Sequence, residues 1–218
     1  MNELLEEESN KKKYSFKIIL VGNSGVGKTS ILNKYIKNIF DDNYTCTIGV
    51  DFSLKNIEFS NKIVNMRIWD TAGQEKYNST TKNYFHGSDA CFLVFDLTSI
   101  KSFLPLQEWY NIVCNCCNKN IKNNFVVLGN KCDLEEREVN EDIINENILD
   151  KNIKYFETSA KTGYNIDECF KYITERLIEQ YDHNNNNGIK GNLYNKNRNI
   201  VKENKDNNNI QEKNNKCC

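Results

Sequence analysis

The 218-residue chain has no excess of charge of either sign: 29 basic residues stand against 30 acidic ones, a formal charge of −1. Global charge therefore gives no reason to expect a nucleic-acid partner. No apolar run nears the roughly 20 residues that cross a bilayer. The start, Met1-Asn2-Glu3-Leu4-Leu5-Glu6-Glu7-Glu8, has neither the basic opening nor the apolar stretch of a secretory signal. Asn2 stands where an N-myristoylated chain needs glycine. These absences lead to an expectation of cytosolic synthesis. Histidine is scarce, with only His86 and His183. Cysteine is not scarce, and the nine are Cys46, Cys91, Cys114, Cys116, Cys117, Cys132, Cys169, Cys217 and Cys218. Most lie in apolar segments of a chain without a secretion signal, so reduced thiols are expected. Cys114-Asn115-Cys116-Cys117 has the density of a metal motif but no second ligand pair at zinc spacing. Thiols in the core or at the surface are expected there over a zinc site.

What is present is an α/β alternation. Residues 1–13 are charged and expected to be flexible. From 14 to 180, strand-length apolar runs recur at Phe16–Val21, Ile63–Trp69, Ala90–Phe95, Phe125–Leu128 and Tyr155-Phe156, separated mostly by helix-like segments. This pattern predicts one domain with a mostly parallel sheet covered on both faces. Ile63–Trp69 alternates, with Val64, Met66 and Ile68 on one face, and is expected to pair in a hairpin with Val50–Phe59 across Ser60-Asn61. That makes one edge antiparallel. A last helix is signalled by Asn165 as cap, Glu168 three residues on, and an apolar stripe of Ile166, Phe170, Ile173 and Leu177. From 181 to 218 asparagine and lysine dominate, and disorder is expected because too little apolar surface is available to offset ordering entropy.

Gly22-Asn23-Ser24-Gly25-Val26-Gly27-Lys28-Thr29 lies between the first apolar run and the helix-like stretch that begins at Ser30. G-x-x-x-x-G-K-[ST] in that context is a P-loop. Gly22, Gly25 and Gly27 let the backbone wrap closely around phosphate. Successive N–H groups form an anion nest at the positive end of a helix. Lys28 adds a charge for the β- and γ-phosphates, and Thr29 offers a hydroxyl to Mg²⁺. Asp70-Thr71-Ala72-Gly73-Gln74-Glu75 follows the alternating strand. Asp70 at a strand's carboxyl end can hold Mg²⁺ through water, Gly73 can donate its N–H to a γ-phosphate, and Gln74 can orient an attacking water. Asn130-Lys131-Cys132-Asp133 and Thr158-Ser159-Ala160-Lys161 follow the next strands. The Asp133 carboxylate can accept the paired donors of guanine, which adenine lacks. Asn130 can tie its loop to the P-loop, the Lys131 stem can cover the base, and the Ala160 N–H is placed for guanine O6.

With these motifs in this order over residues 14–180, the chain resembles a small GTPase of the Ras superfamily. Thr47-Ile48-Gly49-Val50-Asp51-Phe52, Ile68–Glu75 and the terminal Cys217-Cys218 resemble the Rab family. The resemblance implies a P-loop NTPase G domain with a six-stranded, mostly parallel sheet and helices on both faces. It implies a nucleotide shell of Gly22, Ser24 to Ser30 (Val26 included), Phe40, Thr47, Gly73, Asn130, Lys131, Asp133, Ser159, Ala160 and Lys161. In it Phe40 packs on the guanine edge, and Thr47 joins Thr29 and Asp70 around Mg²⁺ and the γ-phosphate. Residues 41–52 and 70–82 match the two switches, which loosen without γ-phosphate. Ile48, Gly49, Val50, Asp51, Phe52, Trp69 and Tyr77 fall where Rabs meet partners, with core packing as the other reading of Trp69. Asn23 replaces an acidic P-loop residue, with a small effect expected. Ser24 occupies a position where a side chain crowds the catalytic water. Lys76-Tyr77 keeps the charge and ring of the usual pair. In Tyr84-Phe85-His86-Gly87-Ser88, His86 replaces a basic group, which puts partner contacts there in question. The stretches Phe125–Gly129 and Tyr155–Ser159 resemble late-endosomal Rabs, but they lie in structural strands and do not choose a membrane.

The expected activity is slow hydrolysis of GTP with Mg²⁺, catalysed by Lys28 and Gln74, in a monomeric switch that recruits effectors in vesicle traffic. No arginine occurs in the P-loop or in Phe40–Val50, so an arginine finger is expected in trans. The resemblance implies an exchange factor, a GTPase-activating protein, a GDP-dissociation inhibitor and a prenylation escort as partners. Cys217-Cys218 resembles the doubly geranylgeranylated end of Rabs, and two lipids give the stable anchoring that one does not. The tail would then tether the domain to the cytoplasmic face of an intracellular membrane, with the protein cycling through the cytosol. Tail lysines could add attraction to anionic lipid or only keep a spacer soluble. An adenine-specific ATPase, a nucleotide-binding scaffold without turnover and an RNA-binding module are the rivals. They conflict in turn with Asp133, with Gln74 and Thr47, and with the lack of a series of stacking aromatics interleaved with the basic residues of the tail.

Overall fold

The computed structural model describes residues 11–42, 46–59, 61–73, 81–147 and 153–186. Six strands form one sheet in the order β2-β3-β1-β4-β5-β6. They are β1 (Lys12–Val21), β2 (Val50–Phe59), β3 (Lys62–Thr71), β4 (Ala90–Asp96), β5 (Phe125–Asn130) and β6 (Lys154–Glu157). All pairings are parallel except β2 with β3, which places Val50 opposite Thr71 and Phe59 opposite Lys62. The expected hairpin and antiparallel edge are both present. Asn61 turns the corner with a φ of 61°, a left-handed value that asparagine tolerates.

Burial along each strand follows its place in the sheet. β4 and β5 are buried at every residue, as parallel strands covered on both faces must be. β2, at the edge, has no buried residue, and β3 buries Val64, Met66, Ile68 and Asp70 on one face but only Thr71 on the other. The helices are α1 (Lys28–Lys37), α2 (Ile100–Phe103), α3 (Leu106–Cys116), α4 (Glu141–Asn147) and α5 (Ile166–Asn186). The predicted stripe of α5 is buried, and Phe170 stacks on Tyr35 of α1 with centroids 3.7 Å apart. Burying a side chain of this size stabilises the fold by roughly 1.5–3 kcal/mol. On the other face a second core joins Ile19, Val21, Leu93, Phe95, Trp109, Val113 and Val127.

The outcome differs from expectation at the ends of the domain. β1 begins at Lys12, inside the stretch expected to be flexible, because pairing with Lys62 and Ile63 of β3 extends it. α5 continues to Asn186, through residues expected to be disordered. Extending an existing helix adds a hydrogen bond for each residue fixed and avoids the cost of nucleation. Asn165 precedes α5, but its φ is 56° and its side-chain amide donates to the Glu157 carbonyl, tying the helix start to β6. The cysteines within the described residues are all free thiols, and no metal-binding cluster of three or more ligands occurs among those residues. Among the same residues no helix is long and apolar enough to cross a membrane.

Candidate functional site

β1 is the strand at which the chain's connections change direction across the sheet, and a crevice opens there at the strands' carboxyl ends. The P-loop lies in that crevice. Gly25 and Gly27 have φ values of 80° and 96°. A Cβ on Gly27 would lie 2.3 Å from Nδ2 of Asn130, so the loop and the base-side strand touch where only glycine fits. α1 starts from Gly27 with no side-chain cap and no acid in its first turn. Its first amide N–H groups are therefore suited to an outside anion. Lys28 is buried, and its ammonium donates to the Gly22 and Asn23 carbonyls at 2.8 and 2.9 Å. The charge is thus fixed inside the loop.

Oxygen atoms converge beside it. Thr29 Oγ1 lies 2.7 Å from Thr47 Oγ1 and donates to Asp70 Oδ2 at 2.5 Å. Two hydroxyls and a carboxylate, all oxygen, are the donor chemistry of a hard divalent cation such as Mg²⁺. Gly73 lies directly over the P-loop. Its φ is 83°, and a Cβ there would meet the Ser24 nitrogen at 2.4 Å and Lys28 Nζ at 2.8 Å.

At the other end Asn130 is the hub. Its amide donates to the Val26 carbonyl at 2.9 Å, while its oxygen accepts from the Ala160 N–H at 3.2 Å and the Thr158 hydroxyl at 3.4 Å. The P-loop and both base-side loops are therefore cross-braced through one buried side chain. Asp133 accepts from Ser159 Oγ at 2.6 Å, which orients its carboxylate. Lys131, at a φ of 66°, pairs with Asp96 at 2.6 Å, and Asp96 also accepts from the Thr98 N–H and hydroxyl.

One cleft of about 380 Å³ runs past both ends. Ser24, Gly25, Gly27, Lys28, Thr29, Ser30, Phe40, Thr47, Asn130, Lys131, Asp133, Ala160 and Lys161 are all on its walls. Gly22, Val26, Asp70, Gly73 and Ser159 are not on that lining, Asp70 reaching it through its bond with Thr29 and Ser159 through its bond with Asp133. Gly22 is pressed against β4, where a Cβ would lie 2.1 Å from the Val94 carbonyl oxygen. Sequence reasoning missed Asn33, Ile39 and Leu134 on the walls, whereas Asp41, Asp42, Thr71 and Ala72, also there, fall in the stretches matched to the two switches. It also missed Asp96, whose signal was its place at the end of β4. Gln74, Tyr77, Cys217 and Cys218 lie outside the described residues.

A match to the Ras family model spans residues 17–179. The chain is also 40% identical over 176 residues to Ras-related protein RABG3b of Arabidopsis thaliana, covering 78% of this chain and 87% of that one. It is 40% identical to Ras-related protein Rab7 of Drosophila melanogaster over 174 residues, 78% of this chain and 84% of the relative. For Rab7 of Pisum sativum the identity is 40% over 175 residues, with coverage of 78% and 85%. The chain belongs to the Rab family of small GTPases. It is accordingly a GTP-binding and GTP-hydrolysing switch of vesicle traffic, of a family that works at endomembranes.

The open edge of this GTPase carries a second feature. Phe52 and Trp69 face each other across β2 and β3 with centroids 4.9 Å apart, and Tyr84 follows at 5.6 Å from Trp69. Phe52 and Tyr84 are each 42% exposed, and Leu54 is exposed beside them. Phe52, Leu54 and Tyr84 lie at the surface, while Trp69 is partly buried and packs against the core as well. The ring beside Trp69 is Tyr84, which the sequence reading had noted only within a divergent stretch.

Proposed function

We propose that the cleft binds GTP and GDP with one Mg²⁺ ion and that the residues above divide the work as follows. The P-loop N–H groups and Lys28 take the β- and γ-phosphates, with Gly73 donating to the γ-phosphate. Thr29, Thr47 and Asp70 hold Mg²⁺, and their all-oxygen donor set fits it. Mg²⁺, when bound, supplies neutralising charge at the β- and γ-phosphate oxygens. Gln74 orients the attacking water. Lys28 and the loop amides stabilise charge on the transferring phosphoryl group, so that the chain contributes positioning and electrostatics rather than covalent chemistry. Asp133 and Ala160 read guanine, and Phe40 and the Lys131 stem flank it. Asn130 carries this reading, because its three side-chain bonds join the phosphate loop to both base-side loops.

The finer cycle belongs to the same proposal. Residues 41–52 and 70–82 tighten on γ-phosphate and meet effectors, an exchange factor and a GTPase-activating protein that brings an arginine. Residues 187–218 serve as a tether, and Cys217 and Cys218 take geranylgeranyl groups after an escort presents the chain. A GDP-dissociation inhibitor then cycles the protein between cytosol and the cytoplasmic face of a membrane.

Competition binding tests the core of this. Parent protein should prefer GTP over ATP by at least about 10⁴-fold, and Asp133→Ala should remove most of that preference, because only a hydrogen-bonded polar site discriminates so strongly. Gln74→Leu should bind GTP normally and slow single-turnover phosphate release by about 10-fold or more. Equal use of ATP by the parent would overturn the assignment, as would unchanged hydrolysis by Gln74→Leu.

A further inference from the structure

Lys17 lies in β1, on the sheet face opposite Ile18, with Arg67 beside it in the register. Its backbone is committed to the loop before β4: the Lys17 N–H donates to Asp89 Oδ2 at 2.7 Å, and the Asp89 N–H donates to the Lys17 carbonyl at 2.8 Å. Its side chain does something separate. The ammonium donates to the Tyr84 carbonyl at 2.5 Å and the His86 carbonyl at 2.9 Å. It also lies 4.8 Å from the centroid of the Trp69 ring. One half-buried cation therefore touches both the 3₁₀ turn Thr81–Phe85 with the residues just after it and the ring at the end of β3. Charge-assisted bonds to two carbonyls and a cation–π contact are each stronger than their neutral counterparts. Burial lowers the Lys17 pKa from the ordinary lysine value. An ammonium retained there despite burial is held by the groups it faces.

We propose that Lys17 is a positioning residue: it pins the downstream end of the second switch to the sheet and sets the Trp69–Tyr84 pair that partner proteins meet. The inference rests on the proposed reading of the cleft as the guanine-nucleotide site of a switch whose open face meets partners. The switch can then change with nucleotide while its far end keeps a fixed foot. The role differs from general support of the fold, because the sheet pairing of Lys17 runs through its backbone and survives loss of the ammonium.

The test uses Lys17→Met, which keeps the apolar stem, and Lys17→Arg, which restores a cation with several donors. Hydrogen exchange of peptides covering 83–88 should quicken about 10-fold in Lys17→Met, and it should stay within about 2-fold of the parent in Lys17→Arg. Acrylamide quenching gives a second readout. Only two tryptophans occur and Trp109 is fully buried, so quenching reports Trp69. Quenching should rise in Lys17→Met and not in Lys17→Arg, with GDP and GTP affinities unchanged in both. Unaltered exchange at 83–88, or exchange that quickens equally in β4 and β5, would overturn the inference. Loss of guanine preference in the parent would instead sink the reading of the cleft, so the two failures are distinguishable.

Discussion

The two ends of the nucleotide cleft are built by opposite means. At the base end, Asn130 joins three segments through its own side chain, and Asp133 and Lys131 are each oriented by a further residue. At the metal end, three oxygens come from three separate elements: the start of α1, the loop before β2 and the end of β3. Thr47 sits next to Ile48, which is 96% exposed. One end is braced and the other is lightly attached. A switch needs this asymmetry: the base must be held through the whole cycle, whereas the γ-phosphate sensor must let go.

The strongest way to break the comparison is to remove the brace. Asn130→Ala would leave the Val26 carbonyl and the Ala160 N–H without their partner in a buried site. Unmet polar groups of this kind cost about 1–3 kcal/mol each, and members of one network fail together. We expect urea denaturation to show a loss of about 3 kcal/mol, and titration with fluorescent GDP and GTP analogues to show both affinities falling at least about 100-fold. Equal losses for the two nucleotides would place Asn130 in the constant part of the cleft. A loss confined to GTP would contradict the division.

Much of this was legible in the chain, and the reasons for the rest are physical. Val64, Met66 and Ile68 alternated, so the face of β3 and its hairpin could be read directly. The P-loop, Asp70, Asn130 and Ala160 could be read because each lies at or just after the carboxyl end of a strand, and the carboxyl ends of parallel strands share one edge. Contacts between residues distant in sequence were hidden. Asn23 was read as a change of small consequence, yet its side chain accepts from buried Trp109 Nε1 at 3.1 Å and donates to the Lys101 carbonyl at 3.3 Å. No spacing rule announces a loop residue bonding 86 positions away. The third ring of the open face was expected at Tyr77. Tyr77 lies outside the described residues; among those described, it is Tyr84 that the 3₁₀ turn carries to Trp69, a placement set by tertiary packing. The length of α5 was hidden because composition reports propensity and not the cheapness of extending a helix already formed.

A smaller effect should separate the lightly attached end from the P-loop beneath it. Gly73 combines a φ of 83° with backbone of the P-loop close enough to exclude any side chain. Gly73→Ala would push the segment off the loop at a cost of about 1–3 kcal/mol in backbone strain alone if it stayed. The asymmetry then predicts unchanged GDP affinity, because the base end is untouched and the lightly attached segment, rather than the P-loop and Lys28, gives way to the new methyl group. GTP-analogue affinity should fall about 10-fold, and single-turnover hydrolysis should fall with it. A parallel fall in GDP affinity would show that Gly73 braces the loop in both states.

The mildest probe leaves the sequence unaltered, since each end carries a cysteine. Cys46 is exposed beside Thr47, with its sulfur 3.8 Å from Ser24 Oγ. Cys132 sits between Lys131 and Asp133, half-buried, and its pKa is raised, mainly by burial and then by Glu157 and Asp133. The thiolate is the reacting species, so a raised pKa leaves Cys132 with less of it near neutral pH than an ordinary thiol. Iodoacetamide at pH 7.5, read by peptide mass spectrometry, should therefore modify Cys46 well before Cys132. Raising the pH toward 9 should speed Cys132, because burial raises its pKa and more of the thiolate forms as the pH climbs. Exchanging bound GDP for a GTP analogue should slow Cys46, as Thr47 is drawn in, and leave Cys132 unchanged. If Cys132 also responded to the γ-phosphate, the base end would be moving with the switch, and the division of the cleft into a constant half and a changing half would have to be abandoned.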